Sequence, residues 1–119
     1  MDFGAYEDGS PTAVLSTMTV ELDCKNLGST VPIVSAGPSA NTGSYQNREL
    51  RYRDSRLRYQ VYIDPSRSLV WGDGTQGTYP VPASGTGSNR SFTVYGGIWA
   101  DQHGEVGRYG DTLQVTVVP

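Results

Sequence analysis

Two runs near the C-terminus decide how this chain is read: Phe92-Thr-Val-Tyr-Gly-Gly-Ile98 and Leu113-Gln-Val-Thr-Val-Val118. In the first, Phe92, Val94, Gly96 and Ile98 share one parity; in the second, Leu113, Val115 and Val117 do. Side chains alternate across a strand, so this period of two predicts two half-buried β-strands. A polar, glycine-rich connection from Trp99 to Tyr109 joins them, and the sequence stops one residue after the second run.

The same signature recurs upstream. Met18, Val20, Leu22 and Cys24 alternate with Thr17, Thr19, Glu21 and Asp23, which predicts a strand over Val14 to Cys24 with the apolar set facing the core. Leu57, Tyr59, Val61 and Ile63 form the cleanest alternation, closed by the turn starter Asp64-Pro65. Val31-Pro-Ile-Val-Ser35 reads as another strand, and Pro32, which has no N–H to donate, points to an edge or a strand start. Leu69-Val-Trp71 and Thr78-Tyr-Pro-Val81, separated by the turn Gly72-Asp-Gly-Thr75, read as a hairpin. Asp2 to Tyr6 reads as an edge strand, and Ala36 to Asn47 and Pro82 to Arg90 read as loops. About six to seven short strands at this spacing, with no helical periodicity, give an all-β, Ig-like β-sandwich, one domain over residues 1–119.

Composition agrees: 15 glycines and 7 prolines among 119 residues suit short strands and tight turns. A net charge of −3 argues against nucleic acid as a partner, and no apolar run is long enough to embed the chain in a membrane. Arg48, Arg51, Arg53, Arg56 and Arg58 stand among Glu49 and Asp54, which reads as a solvated face with local ion pairs, glycan or anion binding being the lesser reading. His103 stands alone as a loop histidine, so the residues a nucleophile and base would need are not grouped, and the chain is not expected to be an enzyme. No calcium-loop spacing and no cofactor motif is present; Asp73 suits a turn, Trp71 and Trp99 suit core packing or a loop base, and Asn89-Arg-Ser91 spells a glycosylation sequon that short sequences produce by chance. Cys24 is the only cysteine, which reads either as a small buried hydrophobe in a reduced protein or as a cysteine whose partner lies outside this sequence.

Four segments together resemble the spore coat protein U domain family, which includes subunits of the archaic chaperone-usher pili. They are Phe3-Gly-Ala-Tyr6; the Thr17 to Cys24 strand; Leu57 to Asp64 with Val70-Trp-Gly-Asp-Gly74; and Val94-Tyr-Gly-Gly-Ile98 with Ala100-Asp-Gln102, Gly107-Arg-Tyr-Gly-Asp-Thr112 and the terminal Val-Thr-Val. The resemblance implies a non-catalytic structural subunit whose sandwich lacks its final strand. It implies a groove lined by Leu113, Val115 and Val117 opposite Met18, Val20 and Leu22, filled first by a periplasmic chaperone and then by a donor strand from a neighbouring subunit at the outer-membrane usher. The implied destination is the cell surface, as a fimbrium or spore coat. Pilus subunits of this family normally carry a donor strand and a second cysteine, the partner of the one matching Cys24, ahead of the Phe-Gly-x-Tyr segment; neither is in this sequence, which fits a piece of a longer subunit or a terminal or coat component that has no donor strand. The alternative is an adhesin or glycan-binding sandwich using the arginine face or Trp71 and Trp99.

Overall fold

The computed structural model describes residues 14–23, 31–86, 89–99, 102 and 108–118. They form β1 (Val14–Asp23), β2 (Ile33–Ala36), β3 (Arg48–Tyr52), β4 (Ser55–Tyr62), β5 (Val81–Pro82), β6 (Ser84–Thr86), β7 (Asn89–Ile98) and β8 (Val115–Val118), with no helix among them. The larger sheet runs β1-β7-β4-β3, with β6 also on β7, and the smaller runs β5-β2-β8. The result is an all-β, two-sheet sandwich of the Ig-like kind.

β7 is the central strand. It pairs antiparallel with β1 from Val14↔Ile98 to Asp23↔Asn89, and with β4 from Tyr59↔Ile98 to Tyr62↔Tyr95. Its inward parity, Arg90, Phe92, Val94, Gly96 and Ile98, is buried throughout, as the alternation requires. Opposite lie Val34 and Ala36 of β2, and Leu57, Tyr59 and Val61 of β4 complete the core with Trp71. Burying each such aliphatic side chain is worth about 1.5–3 kcal/mol. Trp71 joins the layers: its Nε1 donates to the Val34 carbonyl at 3.1 Å and its ring lies 5.6 Å from Phe92.

β1, β2, β4 and β7 fall where the alternation places them, and Pro32 is buried immediately ahead of β2. Four expectations need correction. The arginine run is not wholly a solvated face, because it forms the β3–β4 hairpin and alternation turns Arg48 into the core at 0% exposure. Leu69–Trp71 and Thr78–Val81 do not form a hairpin: Val70 bridges antiparallel to Tyr62, and Trp71 bridges parallel to Tyr79. The Pro82–Arg90 stretch contains β6, a short return onto β7 whose Gly85, at φ +141, permits a bend that brings the chain against Asn89. Trp99 is not core, since it is 38% exposed beneath the Arg58 guanidinium, 4.4 Å from its ring centre. The strand read over Asp2–Tyr6, Cys24 and His103 lie outside the described residues.

Two polar devices finish the sheets. Where β7 stops, the Gln102 side-chain amide continues the pairing of β4: its Oε1 accepts from the Arg58 N–H at 2.6 Å and its Nε2 donates to the Arg58 carbonyl at 2.9 Å. At the end of β4, the Asp64 carboxylate accepts from the Ser66 and Ser68 hydroxyls and from the Ser68 and Leu69 N–H groups, closing the turn that returns Val70 to Tyr62. These donors, the Ser66 hydroxyl foremost, hold the Asp64 carboxyl well below the usual carboxylate range.

Gly72 is required by contact rather than by backbone angle. A Cβ there would meet Thr78 Oγ1 at 2.1 Å and Thr78 Cβ at 2.3 Å, and Thr78 is buried and bonded to the Thr75 carbonyl. Gly72→Ala is expected to destabilise the fold by about 1–3 kcal/mol, read as a lower thermal midpoint. Gly110→Ala, with nothing within 4 Å of the new Cβ, should leave the midpoint nearly unchanged.

Candidate functional site

The last segment changes sheets as it runs. Arg51 of β3 and Gly110 exchange both main-chain hydrogen bonds, at 2.8 and 3.0 Å. Ala40 N–H then donates to the Thr112 carbonyl at 3.1 Å and Gly37 N–H to the Gln114 carbonyl at 2.8 Å. From there β8 pairs with β2, Val115 opposite Ala36 and Val117 opposite Val34. Alternate residues of a strand present their main-chain groups to opposite edges. Residues 110, 112 and 114 therefore face β3 and β2, and Leu113, Val115 and Val117 turn their N–H and C=O groups to the other edge, where no strand pairs among the described residues.

Beside that edge lies a cavity of about 390 Å³ between the two sheets. Met18 and Val20 of β1 form one wall and Leu113 and Val115 the other. Leu50, Tyr59, Val61, Phe92 and Val94 make the sheet floor with Trp71, and Tyr109, Gly110 and Asp111 close one end. Four of the six residues expected to line an acceptor groove are thus brought together. Leu22 packs against the core, and neither it nor Val117 is on the cavity wall.

Burial across the paired strands is sharply uneven. Val34 and Ala36 point inward and are 0% and 1% exposed; their cross-strand partners Val117 and Val115 share that face yet are 37% and 49% exposed. Nothing among the described residues covers the inward side of β8 as β4 and β7 cover that of β2.

The closed end of the cavity is polar and fully bonded. Asp111 Oδ2 accepts from Ser39 Oγ and from the Tyr59 hydroxyl, both at 2.6 Å, and Oδ1 accepts from the Thr112 N–H at 2.8 Å and the Asn41 N–H at 3.3 Å. Asn41 Nδ2 donates to the Glu49 carbonyl at 2.8 Å and the Gly110 carbonyl at 3.0 Å. Nearby, Arg48 donates to Gln60 Oε1 at 2.7 Å and the Gly37 carbonyl at 2.8 Å, and its Nε has no hydrogen-bond partner. Burial works against the Arg48 charge, which the neighbouring Tyr59 and Asp111 oxygens support. Sequence reading missed Asp111, Ser39, Asn41 and Tyr59 as site residues, because only the folded topology brings these three segments together.

Elsewhere the polar residues are surface structure. Arg51, Arg56 and Arg58 are exposed, and Arg56 pairs with Glu49 at 3.2 Å. Asp73 accepts from the Thr75 hydroxyl and N–H, the turn role its Asp-Gly context suggests. Trp71 is buried and offers no sugar platform. No group of three or more His, Cys, Asp or Glu among the described residues is placed to hold a metal ion.

Fold and site therefore define a β-sandwich domain organised around an apolar slot at a sheet edge. The chain belongs to the Spore Coat Protein U domain family, whose sequence profile matches residues 1–116. That family comprises structural subunits of coats and surface fibres. No curated protein matches the chain.

Burial, and then the bond to Asp111, push the Tyr59 phenol above its ordinary value, so Tyr59 stays neutral in the fold. The unfolded chain ionises it from about pH 10, so its contribution is complete below that pH and is lost as pH rises beyond it. Stability measured by urea titration from pH 8 to 11 should fall at the alkaline end. Tyr59→Phe, expected to cost about 1 kcal/mol at neutral pH, should flatten that fall; an unchanged slope would exclude Tyr59 as its source.

Proposed function

We propose that this chain is a strand-accepting structural subunit of a bacterial surface fibre or coat, assembled by donor-strand complementation. The observation that carries the reading is the exposure of Val115 and Val117, at 49% and 37%, on the inward face of a strand whose cross-strand partners on that face, Val34 and Ala36, are fully buried. An added strand would cover these side chains and the groove between Met18, Val20 and Leu22 on one side and Leu113, Val115 and Val117 on the other. It would also bond the main-chain groups of Leu113, Val115 and Val117. Main-chain bonds give such an addition its affinity, and alternate side chains seated in the groove give it register.

In this reading the donor is the extended segment of a neighbouring subunit. A periplasmic chaperone holds the groove before an outer-membrane usher exchanges one strand for the other, and the product lies at the cell surface. Shielding is a physical requirement of such a route, because an uncovered apolar edge templates aggregation. Cys24 would pair with a cysteine outside this sequence. No step calls for a cofactor.

A synthetic peptide of alternating Val and Thr, flanked by lysines for solubility, should raise the thermal midpoint of the chain. At a hundredfold excess over Kd the gain is about 2.7 kcal/mol. A peptide of the same composition with its valines in one block should not act, and Val115→Asp should remove the effect. No stabilisation by the alternating peptide at hundreds of micromolar would sink the acceptor reading.

A further inference from the structure

The segment that would receive the added strand is held by very different means at its two ends. From Val115 onward its strand pairing among the described residues is to β2 alone, with half-exposed side chains. At Gly110 it is bonded to β3 of the other sheet, and the passage from one sheet to the other takes place over residues 110–114. Asp111 sits at that passage. Its carboxylate gathers donors from the loop after β2 (Ser39 and Asn41), from β4 of the opposite sheet (Tyr59) and from its own segment (Thr112).

We infer that Asp111 is the positioning residue of the acceptor strand: its carboxylate clamps the sheet-switching segment between the two layers and so keeps the groove open while it is empty. The inference rests on the strand-acceptor reading for its functional meaning, although the clamp itself is a property of the unoccupied protein. Three considerations support it. All four donors converge on one carboxylate, and charge-assisted hydrogen bonds are roughly twice as strong as neutral ones. Ser39 comes from the loop that leaves β2 of the smaller sheet and Tyr59 from β4 of the larger, so the carboxylate ties the path of the chain to both layers. The four bonds occupy the carboxylate's acceptor sites, so Asp111 is engaged before any ligand arrives and acts by pre-organisation rather than by contact.

A pre-organising role differs measurably from a contact role. When the binding-competent arrangement is only fractionally populated, apparent affinity falls by that fraction. Loss of the clamp should therefore slow association with the strand and leave the rate of its departure largely unchanged.

The test uses the full chain and the alternating Val/Thr peptide. Ser39→Ala removes one donor without changing charge, Tyr59→Phe removes the donor from the opposite sheet, and Asp111→Asn replaces the carboxylate. In the unliganded protein, amide exchange at Thr112, whose N–H is bonded to Asp111, and at Thr116 and Val118, whose N–H groups turn to β2, should accelerate on the order of tenfold in each variant while exchange in β7 and the β4 centre is unchanged. Peptide association should slow several-fold, with dissociation within about a factor of two of wild type. Asp111→Asn also takes a supporting charge from Arg48, so Arg48→Met in the same chain separates global loss of stability from loss of the clamp. Wild-type exchange at Thr112, Thr116 and Val118 in Ser39→Ala and Tyr59→Phe would overturn the inference whether or not the peptide binds. Failure of wild type to bind the peptide would overturn the acceptor reading and leave the exchange result to decide the clamp.

Discussion

β7 carries the constraint on which the other strands depend. It is hydrogen-bonded along its whole length to β1 and over its second half to β4, and every inward position from Arg90 to Ile98 is buried. Because side chains alternate with a strict period of two, a slip of one residue would expose Phe92, Val94 and Ile98 together and bury Thr93 and Tyr95. Register on both sides of β7 is thereby fixed, and with it the position of Met18 and Val20 across from Phe92 and Val94. One wall of the groove is a direct consequence of this single ladder.

The opposite wall is secured differently. β8 is short, borders only β2 among the described residues, and depends on the polar junction at Asp111 to reach its place. A long paired strand and a short hinged one face each other across an apolar slot, so the two sides of the groove differ in stability. Local opening free energies track buried contacts and paired backbone, which places the β8 side at the low end of the molecule's range. A groove whose second wall yields more easily than its first suits a partner that enters by adding a strand.

Much of this was legible in the chain itself, and what was not has identifiable physical causes. β1, β4 and β7 alternate cleanly because one face of each meets water and the other the core; the groove is an expectation of the family resemblance rather than of the alternation, and four of its six expected residues lie together on the cavity wall. β3 was hidden because its inward position is Arg48, a charge that is buried only because Gln60 and the Gly37 carbonyl bond it. The parallel bridge of Trp71 to Tyr79 was hidden because Gly-Asp-Gly-Thr is equally good turn chemistry for a hairpin and for the wider loop found. Nothing in sequence spacing relates Asp111 to Ser39 or Tyr59. Residues that gain meaning only through non-local contact leave no period to detect.

The Gln102 amide has a consequence for the chain's behaviour in concentrated solution. β4 runs on past the end of β7, and such an overhang ordinarily presents bare N–H and C=O groups on which strands of unrelated chains nucleate. By satisfying both main-chain groups of Arg58 with a single side chain, Gln102 closes the overhang nearest the end of β7 without adding another strand. Indiscriminate sticking is suppressed at this position on the larger sheet, while no strand among the described residues covers the edge of β8 in the smaller one.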